Sequence, residues 1–107
     1  MITELKKVLK EIVGLLEAGG DTYYSKEINK LMGSDEESIW QYLESNEIWG
    51  GSGSVADCGV IENKELRSKL LGLLIKLGEY QQKEGRVNVR IESWMQAFRN
   101  WKDQGII

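Results

Sequence analysis

Apolar residues recur at three- and four-residue spacing in five stretches of the chain, which predicts five amphipathic helices. The first begins at Thr3, a favourable N-cap, and ends at the Gly19-Gly20 pair. The second is capped by Asp21 or Thr22 and stopped by Gly33. Their apolar stripes are Leu5, Val8, Leu9, Ile12, Val13, Leu15 and Leu16 in the first helix and Tyr24, Ile28, Leu31 and Met32 in the second.

The third predicted helix opens at Ser34, which stands three residues before Glu37 as in a capping box. Its apolar set is Ile39, Trp40 and Leu43, with Tyr42 at the margin. From Asn46 to Asn63 the helical spacing stops, although several residues there favour burial. These residues are Ile48, Trp49, Val55, Val60 and Ile61. We therefore predict a long glycine-rich loop that folds back onto the core.

The fourth predicted helix runs from an Asn63 cap to about Gly85 and is apolar on two sides. One broad face consists of Leu66, Leu70, Leu73, Leu74, Leu77 and Tyr80, and the other carries Leu71 and Ile75. A helix of this kind is usually covered on two flanks by its neighbours. Gly72 and Gly78 inside it each cost up to about 1 kcal/mol relative to alanine, so we expect another helix to approach closely there.

The fifth predicted helix extends from an Asn88 cap to Gly105. Its stripe is Val87, Ile91, Trp94, Phe98 and Trp101. The run 87–91 alternates as a strand does, but no other segment alternates with it, so the helix is preferred. Together these elements predict a single all-α domain over residues 1–107, a bundle of about five helices with the loop between the third and the fourth.

The composition restricts the possible chemistry, because the 107 residues include no histidine and one cysteine. Ser-His and Cys-His nucleophile pairs, HExxH sites and His- or Cys-based zinc sites within one chain are excluded. We expect no catalytic residue, metal or cofactor. The single cysteine favours the reducing cytosol, no apolar run is long enough to span a membrane, and the charged stretch from Met1 to Lys10 is unlike a signal peptide.

The net charge of −3 hides a strong segregation along the chain. Residues 1–30 sum to zero, residues 31–63 to −7 and residues 64–107 to +4. Nucleic-acid binding needs a basic footprint, and the bases here are interleaved with acids. We therefore interpret Arg86, Arg90, Arg99 and Lys102 as a solvated helix face.

The glycine-rich segment formally matches the dinucleotide fingerprint G-x-G-x-x-A over residues 51–56. No strand precedes it and no GK[ST] sequence follows, so we interpret its glycines as turn residues, with Ser54 or Asp57 capping a short turn. Ser52 has no base to activate it. Cys58 has no basic neighbour in sequence, which is typical of a small buried residue.

The four tryptophans divide between the core and the acidic third of the chain. Trp94 and Trp101 lie on the fifth stripe and are predicted core residues. Trp40 and Trp49 stand beside glutamates, so each is either a core residue or a binding anchor at the edge of an acidic surface. The candidate partner-binding residues are Asp35, Glu36, Glu37, Trp40, Tyr42, Glu44, Glu47, Trp49 and Asp57.

The segment from Trp49 to Asp57 has the pattern Trp-Gly-Gly-x-Gly-Ser-x-x-Asp, and Trp94, Phe98 and Trp101 follow it downstream. Over roughly residues 40 to 101 the chain resembles small bacterial immunity-type proteins of contact-dependent growth inhibition and polymorphic toxin loci. The resemblance implies a non-enzymatic protein that neutralises a co-encoded toxin. A toxin that attacks nucleic acid must be basic where it contacts phosphate, and an acidic, aromatic surface is complementary to it.

Three hypotheses follow for the function. The first is an immunity protein, monomeric or weakly dimeric, whose region 34–62 binds a basic toxin domain such as a nuclease and which binds neither nucleic acid nor membrane. The second is a non-catalytic interaction or homodimerisation module that uses the fourth helix around Leu71 and Ile75. The third, an enzyme, requires a deep pocket with two carboxylates of raised pKa.

Overall fold

Six α-helices follow one another in the part of the chain that the computed structural model describes, residues 2–51, 53–57 and 61–105. They are α1 (Ile2–Ala18), α2 (Thr22–Leu31), α3 (Glu36–Glu44), α4 (Asn46–Trp49), α5 (Lys64–Glu84) and α6 (Ile91–Asp103), with a 3₁₀ turn at Val55–Asp57. The five longer helices correspond to the five predicted from the apolar spacing. The predicted all-α fold is therefore confirmed, and no strand occurs within the described ranges.

Several helix ends follow their sequence signals. Asp21 caps α2 by accepting a hydrogen bond from the backbone N–H of Tyr24 at 3.1 Å. Asn63 caps α5 in the same way, with the N–H of Leu66 at 3.0 Å. Gly85 ends α5 with a φ of 71°, in the left-handed region that favours glycine.

The N-termini predicted at Thr3 and Ser34 are wrong. The first helix already begins at Ile2. Asp35 rather than Ser34 precedes α3, and its carboxylate accepts a hydrogen bond from the Ser38 hydroxyl instead of from a backbone N–H. The capping-box pairing of Ser34 with Glu37 therefore does not form.

The predicted start of the last helix at Asn88 is also wrong, because α6 begins at Ile91 and Val87 is 46% exposed. The cause is the buried Asn88 side chain. Its Nδ2 donates to the carbonyl oxygens of Glu44 and Ser45, both at 2.9 Å. These bonds hold residues 86–90 against the end of α3, so the segment cannot take up helical spacing.

The central helix is α5, which packs against α1 and against α6. Leu71 is buried and Ile75 is half-buried against the core, so both apolar sides of α5 are covered within the chain. A methyl group at Gly78 would overlap the sulfur of Met95 on α6, which confirms a close approach there. The same expectation is wrong for Gly72, which is exposed and has no side chain close to it.

The segment between α3 and α5 is folded onto the core, as predicted, but the loop predicted from Asn46 is wrong at its start, because Asn46–Trp49 form the short helix α4. Its described apolar residues are all buried, namely Ile48, Trp49, Val55, Ala56 and Ile61. The predictions for Ser52, Cys58 and Val60 lie outside the described residues. Within the described ranges, no helix combines the length and the apolarity needed to cross a membrane.

Candidate partner-binding surface

Trp49 is a core residue rather than a surface anchor. Its side chain has no exposed area, and its Nε1 donates to Oε1 of Gln81 at 2.8 Å. Gln81, also fully buried, donates from Nε2 to the carbonyl oxygens of Leu43 at 3.1 Å and Arg86 at 2.9 Å. Trp49 therefore joins the glycine-rich segment to α5, and of its two predicted roles, core residue or binding anchor, the structure supports the core role.

Trp40 does not project into solvent either. Only 6% of it is exposed, and the guanidinium carbon of Arg86 lies 5.8 Å from the centroid of its ring. A cation over the face of an indole covers the area that a partner would need to contact. Of the two roles predicted for Trp40, core residue or binding anchor, the structure therefore supports the core role, with Arg86 covering the ring.

Arg86 also binds two of the acids predicted to steer a partner. Its Nη1 and Nη2 donate to the two oxygens of Glu37 at 3.2 and 2.7 Å, and Nη2 donates to Oε1 of Glu44 at 2.8 Å. The hydrogen bond from Arg86 lowers the pKa of Glu44. The charge segregation along the sequence is therefore partly cancelled in space, and Glu37 and Glu44 are not free steering charges.

Arg86→Met should make the stability of the fold less dependent on pH. The pKa of Glu44 is depressed in the folded state, so its pairing stabilises the protein above the ordinary pKa of 4.5 and is lost as the pH falls through the lowered folded value. Urea unfolding of both proteins should show that the variant has a lower free energy of unfolding than the wild type at pH 7, and that this difference is smaller at pH 3. A difference of equal size at both pH values would contradict this role of the ion pair.

The side chains of Ser54 and Asp57 form hydrogen bonds with backbone groups of the glycine-rich motif itself. The Ser54 hydroxyl donates to the carbonyl oxygen of Gly50 at 3.0 Å, and Asp57 accepts from the N–H of Gly53 at 3.1 Å. Trp94 of α6 donates from Nε1 to the carbonyl oxygens of residues 49 and 50, at 3.1 and 2.9 Å. The interpretation of this motif as a structural turn is confirmed, and Asp57 acts as a turn cap.

The aromatic side chains of α6 pack against one another beside this turn. Phe98 is fully buried, and its ring centroid lies 5.6 Å from that of Trp94 and 5.8 Å from that of Trp101. Both tryptophans are half-buried and pack against the core, so their predicted position in the core is confirmed only in part. Their contribution is to the fold.

A different set of side chains forms an acidic aromatic surface. The Tyr24 hydroxyl donates to Oε2 of Glu47 at 3.1 Å, and the rings of Tyr23 and Tyr24 meet edge to face with centroids 4.9 Å apart. Glu27 lines one recess with Tyr23 and another with Tyr42, so all five groups lie in one neighbourhood. Burial and then the charges of Glu47 and Glu27 raise the pKa of Tyr42. We call Tyr23, Tyr24, Glu27, Tyr42 and Glu47 the tyrosine surface.

The raised pKa values of Tyr23, Tyr24 and Tyr42 have different leading causes, and Glu47 contributes to all three. Glu27 and then Glu47 raise the pKa of Tyr23, while burial and the hydrogen bond to Glu47 raise that of Tyr24 to about 12. The phenols therefore stay neutral in a negative electrostatic field. Tyr23 is 60% exposed, so an aromatic ring is presented to solvent within that field.

Two recesses flank Glu27 and Lys30 at the edge of the tyrosine surface. The larger, about 390 Å³, is also lined by Thr22, Tyr23 and Lys26. The smaller, about 160 Å³, is also lined by Leu31, Ser34 and Tyr42. The Tyr42 hydroxyl is buried and has no hydrogen-bond partner among the residues that the structure describes.

No protein-family model, curated protein or solved structure matches this chain. What the tyrosine surface binds therefore has to be inferred from its own chemistry.

Two of the predicted partner-binding residues belong to the tyrosine surface, Tyr42 and Glu47. Asp35 and Glu36 are exposed at the start of α3, where Asp35 is bonded to Ser38. Tyr23, Tyr24 and Glu27 were missed by sequence reasoning, although the Tyr-Tyr pair on α2 was a visible signal. Across the described ranges, no group of three metal-ligating side chains comes together.

Proposed function

We propose that this chain is a non-enzymatic, immunity-type inhibitor that binds a basic toxin domain through the tyrosine surface. The observation that carries the proposal is the convergence of three tyrosines and two glutamates from α2, α3 and α4, with one ring largely exposed. The toxin as partner follows from the resemblance of the glycine-rich motif and the α6 aromatics to immunity-type proteins.

Tyrosine is suited to this role because it supplies a large contact area with only two side-chain torsions to immobilise. Tyr, Trp and Arg dominate the energetics of protein interfaces. The charges of Glu27 and Glu47 favour the approach of a basic partner and disfavour an acidic one. Asp35 and Glu36 add exposed acids at the start of α3, whereas Arg86 offsets one of the two charges of Glu37 and Glu44.

The proposal predicts that a large secreted protein with a toxic C-terminal domain is encoded beside this chain, and it is tested by the kinetics of binding to that domain. In stopped-flow measurements, the double variant Glu27→Gln/Glu47→Gln should associate about tenfold more slowly at low salt, with a flatter salt dependence. Tyr23→Ala should raise the dissociation rate by about tenfold or more, because it removes an exposed aromatic contact.

The matched control is Glu11→Gln/Glu17→Gln, which removes the same charge from the exposed side of α1. It should leave both rates close to those of the wild type. If the tyrosine-surface variants bind with the rates and salt slope of this control, the surface is not the binding site. If the encoded domain does not bind the wild-type chain, the immunity function itself is excluded.

A further inference from the structure

The geometry points to a binding site for one guanidinium group, supplied by an arginine of the partner, in the smaller recess between Glu27 and Tyr42. This inference rests on the proposed function, because it names the side chain that the tyrosine surface would recognise. The recess has a volume of about 160 Å³ and is lined by Glu27, Lys30, Leu31, Ser34 and Tyr42. The residues around it thus carry one carboxylate, one ammonium, two hydroxyls and one aromatic ring.

The Tyr42 hydroxyl is the feature that packing does not explain. It is buried without a hydrogen-bond partner among the described residues, and such a group destabilises the folded state. A phenylalanine would fill the same space without that cost. A tyrosine in this position gains a role if the hydroxyl completes its hydrogen bonding only when a ligand is bound.

The sign of the local charge selects a cation. The charges that act most strongly on the Tyr42 phenol are the carboxylates of Glu47 and Glu27. The neutral phenol oxygen can accept a hydrogen bond from a cationic donor, and its ring face attracts a cation. A guanidinium carries several planar donors, so it can serve Glu27 and Tyr42 together, which an ammonium does less well.

Lys30 is the exposed side chain at the recess that is free to move. It is exposed, it lines the recess, and it forms no ion pair within the described ranges, Glu27 included. Because the Tyr42 hydroxyl is closed to water, a ligand reaches it only when a side chain at the rim moves. A long side chain without a partner can move at little cost, and the incoming guanidinium then replaces its charge beside Glu27.

The test uses methylguanidinium chloride as the probe and the full chain, followed by ¹H–¹⁵N NMR at an ionic strength held constant with NaCl. We expect saturable shifts confined to the amides of residues 27–34 and 42, with a Kd on the order of 10 mM for so small a ligand. Tyr42→Phe or Glu27→Gln should weaken binding at least threefold, and Lys30→Gln should tighten it. Tetramethylammonium, a cation without hydrogen-bond donors, should bind at least threefold more weakly than methylguanidinium.

Tyr80→Phe is the control, because its hydroxyl bonds Glu4 on another face and should not affect the probe. Tyr42→Phe should melt no lower than the wild type, so its loss of binding cannot be attributed to misfolding. Shifts that do not saturate, or equal affinity in Tyr42→Phe and the wild type, would overturn the inference.

The encoded partner domain separates this inference from the proposed function. If Tyr42→Phe and Lys30→Gln bind that domain with unchanged affinity while Tyr23→Ala does not, the surface functions but the guanidinium site is excluded. If methylguanidinium binds as described and the encoded partner domain does not bind at all, the guanidinium site is supported and the immunity function is excluded.

Discussion

Gly50→Ala should destabilise the fold by about 3 kcal/mol, the cost of forcing a side chain into occupied space that cannot relax. A Cβ at this position would overlap the backbone carbonyl oxygen of Asn46, and backbone yields much less easily than a flexible side chain. The adjacent Gly51 provides the control. A Cβ there would meet only the Arg90 side chain, at an ordinary contact distance of 3.5 Å, so Gly51→Ala should change the stability by less than about 1 kcal/mol.

Urea unfolding followed by tryptophan fluorescence measures both variants under the same conditions. The two substitutions add the same methyl group to neighbouring positions of one motif. Only Gly50→Ala, whose added methyl group meets Asn46, should lower the urea midpoint of unfolding strongly. Equal midpoints for the two variants would show that the segment tolerates a Cβ at either glycine and that the close approach is not required.

Gln81→Leu should have a comparable effect, about 3 kcal/mol, because it leaves several buried polar groups without partners. The groups affected are the indole N–H of Trp49 and the carbonyl oxygens of Leu43 and Arg86. Leucine is similar in size to glutamine, so the loss reports hydrogen bonding rather than a cavity. Gln82→Leu, the same change at the exposed neighbour, should alter the stability by less than about 0.5 kcal/mol.

The urea unfolding midpoints of Gln81→Leu and Gln82→Leu show whether the hydrogen bonds of Gln81 stabilise the fold. If both variants unfold at the midpoint of the wild type, the buried amide does not contribute to stability and the contact between the glycine-rich segment and α5 is held by apolar packing alone.

The helices could be predicted from the sequence because their apolar stripes are local patterns. The start of α6 could not, because Asn88 bonds to carbonyl oxygens more than forty positions earlier in the chain. Val87 fits the stripe by spacing, yet those bonds turn it toward solvent. Hydrogen bonds from a polar side chain to backbone groups that are distant in sequence cannot be detected from hydrophobic periodicity.

The candidate site was predicted less well, for a related reason. Acids next to tryptophans in sequence indicated an exposed surface, but Gln81 draws Trp49 inward and Arg86 covers Trp40. Gln81 and Arg86 belong to the last third of the chain, so they are distant in sequence from the tryptophans that they contact. The acidic aromatic surface that does form takes members from three helices, so only Tyr42 and Glu47 of it were found.

The bond from Trp49 to Gln81 also determines how the glycine-rich segment opens. A loop of this composition would ordinarily fluctuate separately from the domain and be cut readily by proteases. Here its indole proton is buried in the core of the bundle, so exposing it requires the helices to separate. Hydrogen exchange at the Trp49 indole should therefore proceed through global unfolding, which places Trp49 in the most protected cooperative unit of the protein.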